Sequence, residues 1–329
     1  MRGKLVGIPL LLAPMAEISH RALRELIEGF GGCDGYFTEM ISAGAFLADG
    51  PFEKWYVDAG PKPEKCVFQI VGADLEQISR TAALLDRLEC AGIDINMGCS
   101  APVIRKQGAG AAWMASIDRA GELISRVRSQ VKRRLSVKLR IGYQDDFDYL
   151  ARFCRRLEAE GTELITLHPR TVTEKFKRTA RWEYVYRLRQ ELKIPVAGNG
   201  DIASAEELAR RADGSCDAVM VGRAAVRQPW IFARAREVEE KRDLSPISPI
   251  LRSVPNLEET GLRFLELLAR YQPPEFHVSR AKRFFSFFCD NLKWGNFLKN
   301  QLNREKTLPG IEEVWWRFFR KNEELEIRD

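Results

Sequence analysis

The sequence predicts an α/β fold: a (β/α)8 TIM barrel followed by a smaller C-terminal α-helical bundle. Three observations predict it. Short, almost continuously apolar runs alternate with longer amphipathic stretches, the pattern of parallel strands covered by crossover helices. A polar or conformationally special residue stands just past nearly every run, as happens where strand ends meet on one face of a closed barrel. The chain has 329 residues, whereas a barrel of this kind takes about 250, which leaves room for one further module. A doubly wound open sheet shares the alternation but gathers its special residues at a single switch point.

Taken in order, the apolar runs are residues 10–14, 36–38, 66–70, 93–95, 136–140, 164–168, 194–197 and 218–221. Helical periodicity falls between them at 75–90, 120–131, 147–160 and 205–212, and again at 230–240. The residues just past the strands are Met15, Glu39, Gln69, Asn96 with Cys99, Lys138 with Arg140, His168 with Arg170, Asn199-Gly200-Asp201 and Gly222-Arg223. After the 230–240 helix, Ser245-Pro246, Ser248-Pro249 and Val254-Pro255 make a Pro/Ser-rich connection that looks like a linker. The expected division is therefore 1–244 for the barrel and 245–329 for a helical module with periodicity at 258–271, 278–292 and 311–321. Residues 277–321 carry 10 Lys/Arg against 4 Asp/Glu, interleaved with Phe and Trp. Most of those aromatics suit the core of a small bundle. The same stretch also suits a basic surface for RNA phosphates, with a few aromatics left to stack on bases.

Composition narrows the classes. Apolar content of 45% and charged content of 30% are those of an ordinary globular protein. No apolar run nears the roughly 20 residues of a membrane span, and the first residues lack a signal-cleavage pattern, so a cytoplasmic location is expected. The cysteines at 33, 66, 90, 99, 154, 216 and 289 form no C-x-x-C pair, and there are 3 histidines, so neither a disulfide framework nor a metal site is expected. A net charge of +6 leans weakly toward a polyanionic partner.

The chemistry centres on residues 92–111, GIDINMGCSAPVIRKQGAGA. Cys99 follows a strand and opens a Gly-rich loop in which Arg105 and Lys106 are available to phosphates; considered alone, it reads first as a buried structural thiol, and the rest of the chain has to outweigh that reading. Two glycine turns, at Asn199-Gly200-Asp201 and Gly222-Arg223, follow the seventh and eighth strands, where barrels build their phosphate site from backbone N–H groups. Arg223 would strengthen such a site, and Asp201 would cap a helix or hold its turn. Lys138 faces the barrel interior, a costly place for a cation unless an electron-rich ligand meets it; an anionic reduced flavin ring is one such partner. Gln69 and His168 occupy matching positions and could bond the same ring, although His168 could also be a satisfied core histidine. The segment GAGAAW follows no strand and lacks a third spaced glycine, so it is not a dinucleotide fingerprint.

Set in order, LLAPMAEISHRALR, VFQIVG, DINMGCSAPVIRKQGAGAAWM, SVKLRIGY, LHPRTVTEKF, IPVAGNGDI and CDAVMVGRAAVRQPWIF resemble the motifs of the tRNA-dihydrouridine synthase family. The resemblance spans residues 10 to about 232, and NMGC with its Gly-rich loop is its most specific part. It implies an oxidoreductase that reduces uridine to 5,6-dihydrouridine in tRNA with FMN, taking electrons from NADPH or NADH. FMN would touch Pro14, Met15 and Ala16, with Gln69, Lys138 and His168 at its ring and Asn199, Gly200, Asp201, Gly222 and Arg223 at its phosphate. Hydride would pass from the flavin to uracil C6, and Cys99 would give the proton to C5. An unactivated thiol, with a pKa of about 8.5, carries its proton at neutral pH and so can act as an acid. Asn96 would hold the uracil edge, with Arg170 and Arg178 as further substrate contacts. No obligate protein partner is implied. Ser100 departs from the family's usual Pro, Glu17 and His20 from its Gly and Asp, and Ala224 from its Gly. A flavin enzyme of free pyrimidines and a non-catalytic RNA-binding protein are the alternatives.

Overall fold

The computed structural model describes residues 8–242 and 255–326. Strands β1 (Leu10–Leu12), β2 (Gly35–Ser42), β3 (Cys66–Val71), β4 (Gly92–Met97), β5 (Arg134–Arg140), β6 (Leu164–His168), β7 (Val196–Asn199) and β8 (Ala218–Val221) pair in chain order. Every pairing is parallel, and β8 lies against β1 to close the barrel, so the open-sheet alternative is excluded. Closure explains the apolar runs: β6, LITLH, is buried from end to end because helices cover its outer face.

Two strands differ from expectation for local reasons. β7 begins at Val196 instead of 194, because Pro195 has no N–H to pair; its carbonyl instead accepts from Ile165 N at 3.1 Å. The shift makes Asn199 the last strand residue. β2 runs well past Thr38, its register to β3 jumping between Phe37 and Met40. Such a bulge breaks the alternation by which a strand is read, and it turns Glu39 into a buried position.

Crossover helices start where the chain supplies a cap. Asp74, Ser116, Asp146 and Ser204 each accept a backbone N–H from the residue three further on, opening Leu75–Leu85, Ile117–Gln130, Phe147–Ala159 and Ala205–Arg211. Helices Arg21–Gly29 and Trp182–Glu191 follow β1 and β6. The stretch after Cys99 is more ordered than a flexible loop: Pro102–Lys106 is helical with Pro102 in its first turn, and Gly110–Ala115 is a 3-10 turn.

Beyond the barrel lie helices Leu257–Tyr271, Pro274–Phe288, Gly295–Leu302 and Leu308–Glu326. Residues 245–254 of the Pro/Ser-rich connection, and with them the expected division at 244/245, fall outside the described residues. Most of the C-terminal aromatics are core: Phe264 stacks on Phe284 at 3.7 Å, and Phe285 packs on Trp315 at 4.6 Å. Trp294, Phe297 and Trp316 are exposed.

The bundle sits on the barrel with no break in apolar packing; both contribute to one continuous core. Helix Leu257–Tyr271 lies against Arg21–Gly29, with His20 beside Phe264 at 6.1 Å and Arg21 over the Tyr271 ring at 3.9 Å. Deep in the joint, Arg280 meets Glu39 at 3.2 Å, both nearly fully buried. At its edge Arg283 pairs with Glu17 at 2.7 Å. Burial pushes the Glu39 carboxyl up, and burial followed by Arg280 pushes His20 well below the usual imidazole range. Among the described residues, no helix is long and apolar enough to cross a membrane.

Candidate active site

A cavity of about 500 Å³ opens at the carboxyl ends of the strands. Pro14, Met15 and Ala16 after β1, Asn96 and Cys99 at the end of β4, and Lys138 on β5 all line it. So do His168 and Arg170 at the end of β6, Asn199, Gly200 and Asp201 at the end of β7, and Gly222 and Arg223 after β8. Residues from six strand ends thus meet in one depression, which is what barrel closure does to positions scattered over two hundred residues.

Cys99 is half-buried at the wall, and its backbone is held on both sides. Its N–H and that of Gly98 donate to Asn96 Oδ1 at 2.9 and 3.1 Å, and its carbonyl accepts from Ala111 N at 3.0 Å. Gly110, with φ +59, lies so close that a Cβ there would sit 2.8 Å from the Cys99 carbonyl oxygen. The glycines of GAGAAW therefore bring a turn against the thiol; they do not cradle a phosphate. Arg105 donates to the Ser100 carbonyl at 3.2 Å.

Lys138 reaches the cavity with neither a hydrogen bond nor an ion pair to its Nζ among the described residues. Burial, with Arg140 next, pulls its pKa down to about 8; Asp94 opposes the shift. His168 is pushed well below the usual imidazole range by burial first and then by Lys138, Arg140, Arg170 and Arg223. It is neutral near pH 7. Its Nε2 lies 2.9 Å from Arg170 Nη1, and a guanidinium can only donate, so Nε2 accepts and Nδ1 carries the proton.

Several predicted contacts have other work. Arg170, buried, spends its guanidinium on His168, on Asp201 Oδ1 at 2.5 Å and on the Arg178 carbonyl, so it holds neighbours in place. Asp201 takes Arg170 and Ala180 N and has a left-handed φ of +52, the turn-holding role open to it from the start. The Asn199 side chain donates to the Met220 carbonyl at 2.8 Å and ties β7 to β8. The groups left facing this rim of the cavity are the backbone of Gly200 and Gly222 and the side chain of Arg223, which begins helix Arg223–Arg227. Gly200, at φ +125, has no room for a side chain: a Cβ would lie 3.0 Å from both Ala180 Cβ and His168 Cδ2.

Two expected residues are not brought to the cavity. Gln69 is fully buried, its amide spent on Asp94 at 2.7 Å and Asn96 at 2.8 Å. The reason is register: Gln69 pairs with Asp94 and Asp94 with Ser136, a level two residues below the Asn96–Lys138 pair. Arg178 is exposed, 3.7 Å from Glu174, in a loop whose course no periodicity reveals. Conversely, Arg140 and Phe176 line the cavity and were not singled out as contacts. Arg140 binds the carbonyls of Gly98, Thr171 and Lys175 at 3.0, 3.2 and 2.9 Å, joining the cysteine turn to the loop after β6. Burial, then Arg170, lowers its pKa to about 10. The alternation that turns Lys138 inward also turns Arg140 inward, so the sequence held that signal. Phe176, exposed beside His168, had none.

These residues fit a flavin mononucleotide. An unpartnered, half-buried cation and a neutral imidazole face a cavity of suitable size, and its rim carries a glycine turn without room for a Cβ, a helix start and an arginine. The family model described as dihydrouridine synthase (Dus) matches residues 11–308. A "tRNA-dihydrouridine(16) synthase" of Ralstonia nicotianae is 32% identical over 240 residues, covering 69% of this chain and 72% of that one. A "probable tRNA-dihydrouridine synthase" of Aquifex aeolicus is 32% identical, covering 71% and 73%, and one of Mycobacterium tuberculosis is 28% identical, covering 92% and 80%. A solved structure of a morphinone reductase variant with tetrahydroNAD is 11% identical over 69% of this chain and 86% of that one, at a TM-score of 0.47, too remote to bear on the chemistry. With a family model spanning nearly the whole chain and relatives matched over most of their length, the chain belongs to the dihydrouridine synthase family.

Proposed function

We propose that this protein reduces uridine to 5,6-dihydrouridine in tRNA, with FMN in the barrel cavity and NADPH or NADH as the electron source. The observation that carries this reading is the half-buried thiol of Cys99 on the same cavity wall as an unpartnered Lys138. When bound, FMN supplies the hydride for uracil C6. Lys138 meets the negative charge that collects on the flavin ring, and the backbone of Gly200 and Gly222 with Arg223 takes its phosphate. Pro14, Met15 and Ala16 form the wall beside it. Cys99 gives its proton to C5 of the uracil, and the thiolate left behind recovers a proton from solvent. Asn96 cannot both hold the Cys99 turn and reach far into the cavity: its oxygen is spent on the turn and its amide donates to Gln69. It therefore acts on the uracil through the thiol.

The target base must leave its stack to reach a thiol on the wall of this cavity, and the helical region supplies a basic platform to hold the rest of the RNA. Trp294, Phe297 and Trp316 are exposed there, with Lys293 5.8 Å from the Trp294 ring centre and Arg320 3.8 Å from that of Trp316. These are stacking and phosphate groups in alternation.

The test is Cys99→Ala. The variant is expected to hold FMN as the wild type does and to lose nearly all reduction of RNA uridines, scored by mapping dihydrouridine in tRNA from cells that carry only the variant. Full activity in that variant would remove the acid assignment, and a colourless wild-type protein that takes up no FMN would remove the reading as a whole.

A further inference from the structure

We propose that Asp94, which touches neither cofactor nor substrate, is a positioning residue for Cys99, acting through Gln69 and Asn96. The proposal rests on the reading of Cys99 as the proton donor. The path is continuous and buried. Asp94 Oδ2 accepts from Gln69 Nε2 at 2.7 Å, Gln69 Oε1 accepts from Asn96 Nδ2 at 2.8 Å, and Asn96 Oδ1 accepts the N–H groups of Gly98 and Cys99. The other Asp94 oxygen accepts the Ser136 hydroxyl at 2.6 Å.

Two side-chain amides in series pose a problem that shape cannot solve. A carboxamide turned end for end fills the same space, so only the donor or acceptor character of its partners sets its direction. At the upper end the partners are backbone N–H groups, which can only donate. At the lower end stands a carboxylate, which can only accept while ionised. Burial raises the Asp94 pKa to about 6, held from rising further by bonds from Ser136 and Gln69 and by the charge of Lys138, so the group is an anion near pH 7. The two ends agree, and every amide atom between them has one direction. If the carboxylate is removed, Gln69 has a buried N–H with no acceptor, and turning its amide over would set it against Asn96. The strain then falls on the turn that aims the thiol. A misplacement of about 1 Å in a reacting group costs on the order of 100-fold in rate, so the effect belongs in the proton-transfer step.

The test compares Asp94→Leu with Asp94→Asn, which still offers an oxygen to Gln69 and an N–H to Ser136. Neither FMN uptake nor its reduction by NADPH needs the thiol, so both variants are expected to complete them; because the Asp94 charge also supports the Lys138 cation, reoxidation is scored only in protein with full FMN content. In single turnover with tRNA, Asp94→Leu is expected to reoxidise its flavin about 10- to 100-fold more slowly, with a larger solvent deuterium isotope effect. Asp94→Asn is expected to keep most of the rate. In the FMN-free proteins, iodoacetamide should alkylate Cys99 faster in Asp94→Leu than in wild type, since its turn is no longer held. If Asp94→Leu fails to fold, Gln69→Met cuts the same path one link higher and is expected to show the same losses. A folded variant of either kind with wild-type turnover and isotope effect overturns the relay. Cys99→Ala run alongside separates the two readings: activity in that variant sinks the acid assignment, whereas an inactive Cys99→Ala with a fully active Asp94→Leu sinks the relay alone.

Discussion

Lys138 shows how much of a site depends on one side chain held away from water. Its pKa of about 8 belongs to a cation disfavoured by burial first and by Arg140 next, whose nearby buried carboxylate, Asp94, is already engaged. A ligand bearing negative charge at its ring edge restores the charged form, so binding above pH 8 takes up a proton. The affinity for anionic reduced FMN should therefore be flat between neutral pH and about pH 8 and fall roughly tenfold per pH unit above it. Lys138→Met should bind FMN more weakly and lose that dependence. Titration of FMN-free protein between neutral and alkaline pH checks both, and a wild-type affinity that does not change with pH would refute the assignment. Gly110 makes a second, steric prediction. Gly110→Ala puts a Cβ 2.8 Å from the Cys99 carbonyl at a φ of +59. It should cost about 1–2 kcal/mol of stability and lower the turnover of bound flavin more than FMN content, read by thermal melting and by reoxidation rate.

At the scale of elements, the loop after β6 decides the shape of the cavity mouth. Glu174 folds it back by binding Arg181 at 2.6 and 2.9 Å and Thr171 N at 2.8 Å. The Arg181 bond, first among the causes, holds the Glu174 carboxyl down to about 2. A depressed carboxyl contributes stability that is fully present above its unfolded value of about 4.5 and lost as pH falls toward 2. The loop should thus keep its form throughout the neutral range and loosen only in strong acid. Glu174→Gln removes the charge and should raise the KM for tRNA several-fold while FMN binding is unchanged. An unaltered KM would mean the loop takes no part in holding RNA. The same loop carries Phe176 to the cavity and Arg178 away from it, and both outcomes follow from this closure.

For the whole molecule, the deciding contact is the buried pair of Glu39 and Arg280 between barrel and bundle. Glu39 also takes the N–H of Glu17 at 2.5 Å, and Glu17, at φ +62, continues directly from the cavity wall Pro14-Met15-Ala16. One carboxylate therefore ties the bundle to the loop that lines the cavity. Removing one partner leaves the other charged and buried, so Arg280→Ala should cost about 3–5 kcal/mol, whereas the double change Glu39→Gln with Arg280→Met should recover a large part of it. Denaturant unfolding measures both. Because the core is continuous across the joint, barrel and bundle should unfold in one transition; two separated transitions in the wild type would contradict that packing. The departures at Glu17 and His20 find their partners here, in Arg283 and Phe264.

The order of strands and four of the crossover helices were legible in the sequence, because period is local: the side chains that set it lie within a few residues of one another. So were Cys99, Lys138 and the two glycine turns, since strand ends of a closed barrel must converge whatever the loops do. What the chain alone could not decide was level and partner. Gln69 and Lys138 look equivalent along their strands, yet register sets Gln69 opposite Asp94, below the mouth, and leaves Lys138 facing the cavity. Arg170 and Arg178 are alike on paper, and only the fold of the loop buries one against Asp201 and leaves the other in water. Glu39 looked like a strand's end and is instead the buried anchor of the bundle, placed there by a bulge and by an arginine more than two hundred residues away. Such choices are made by contacts between distant segments, which exist only once the barrel has closed.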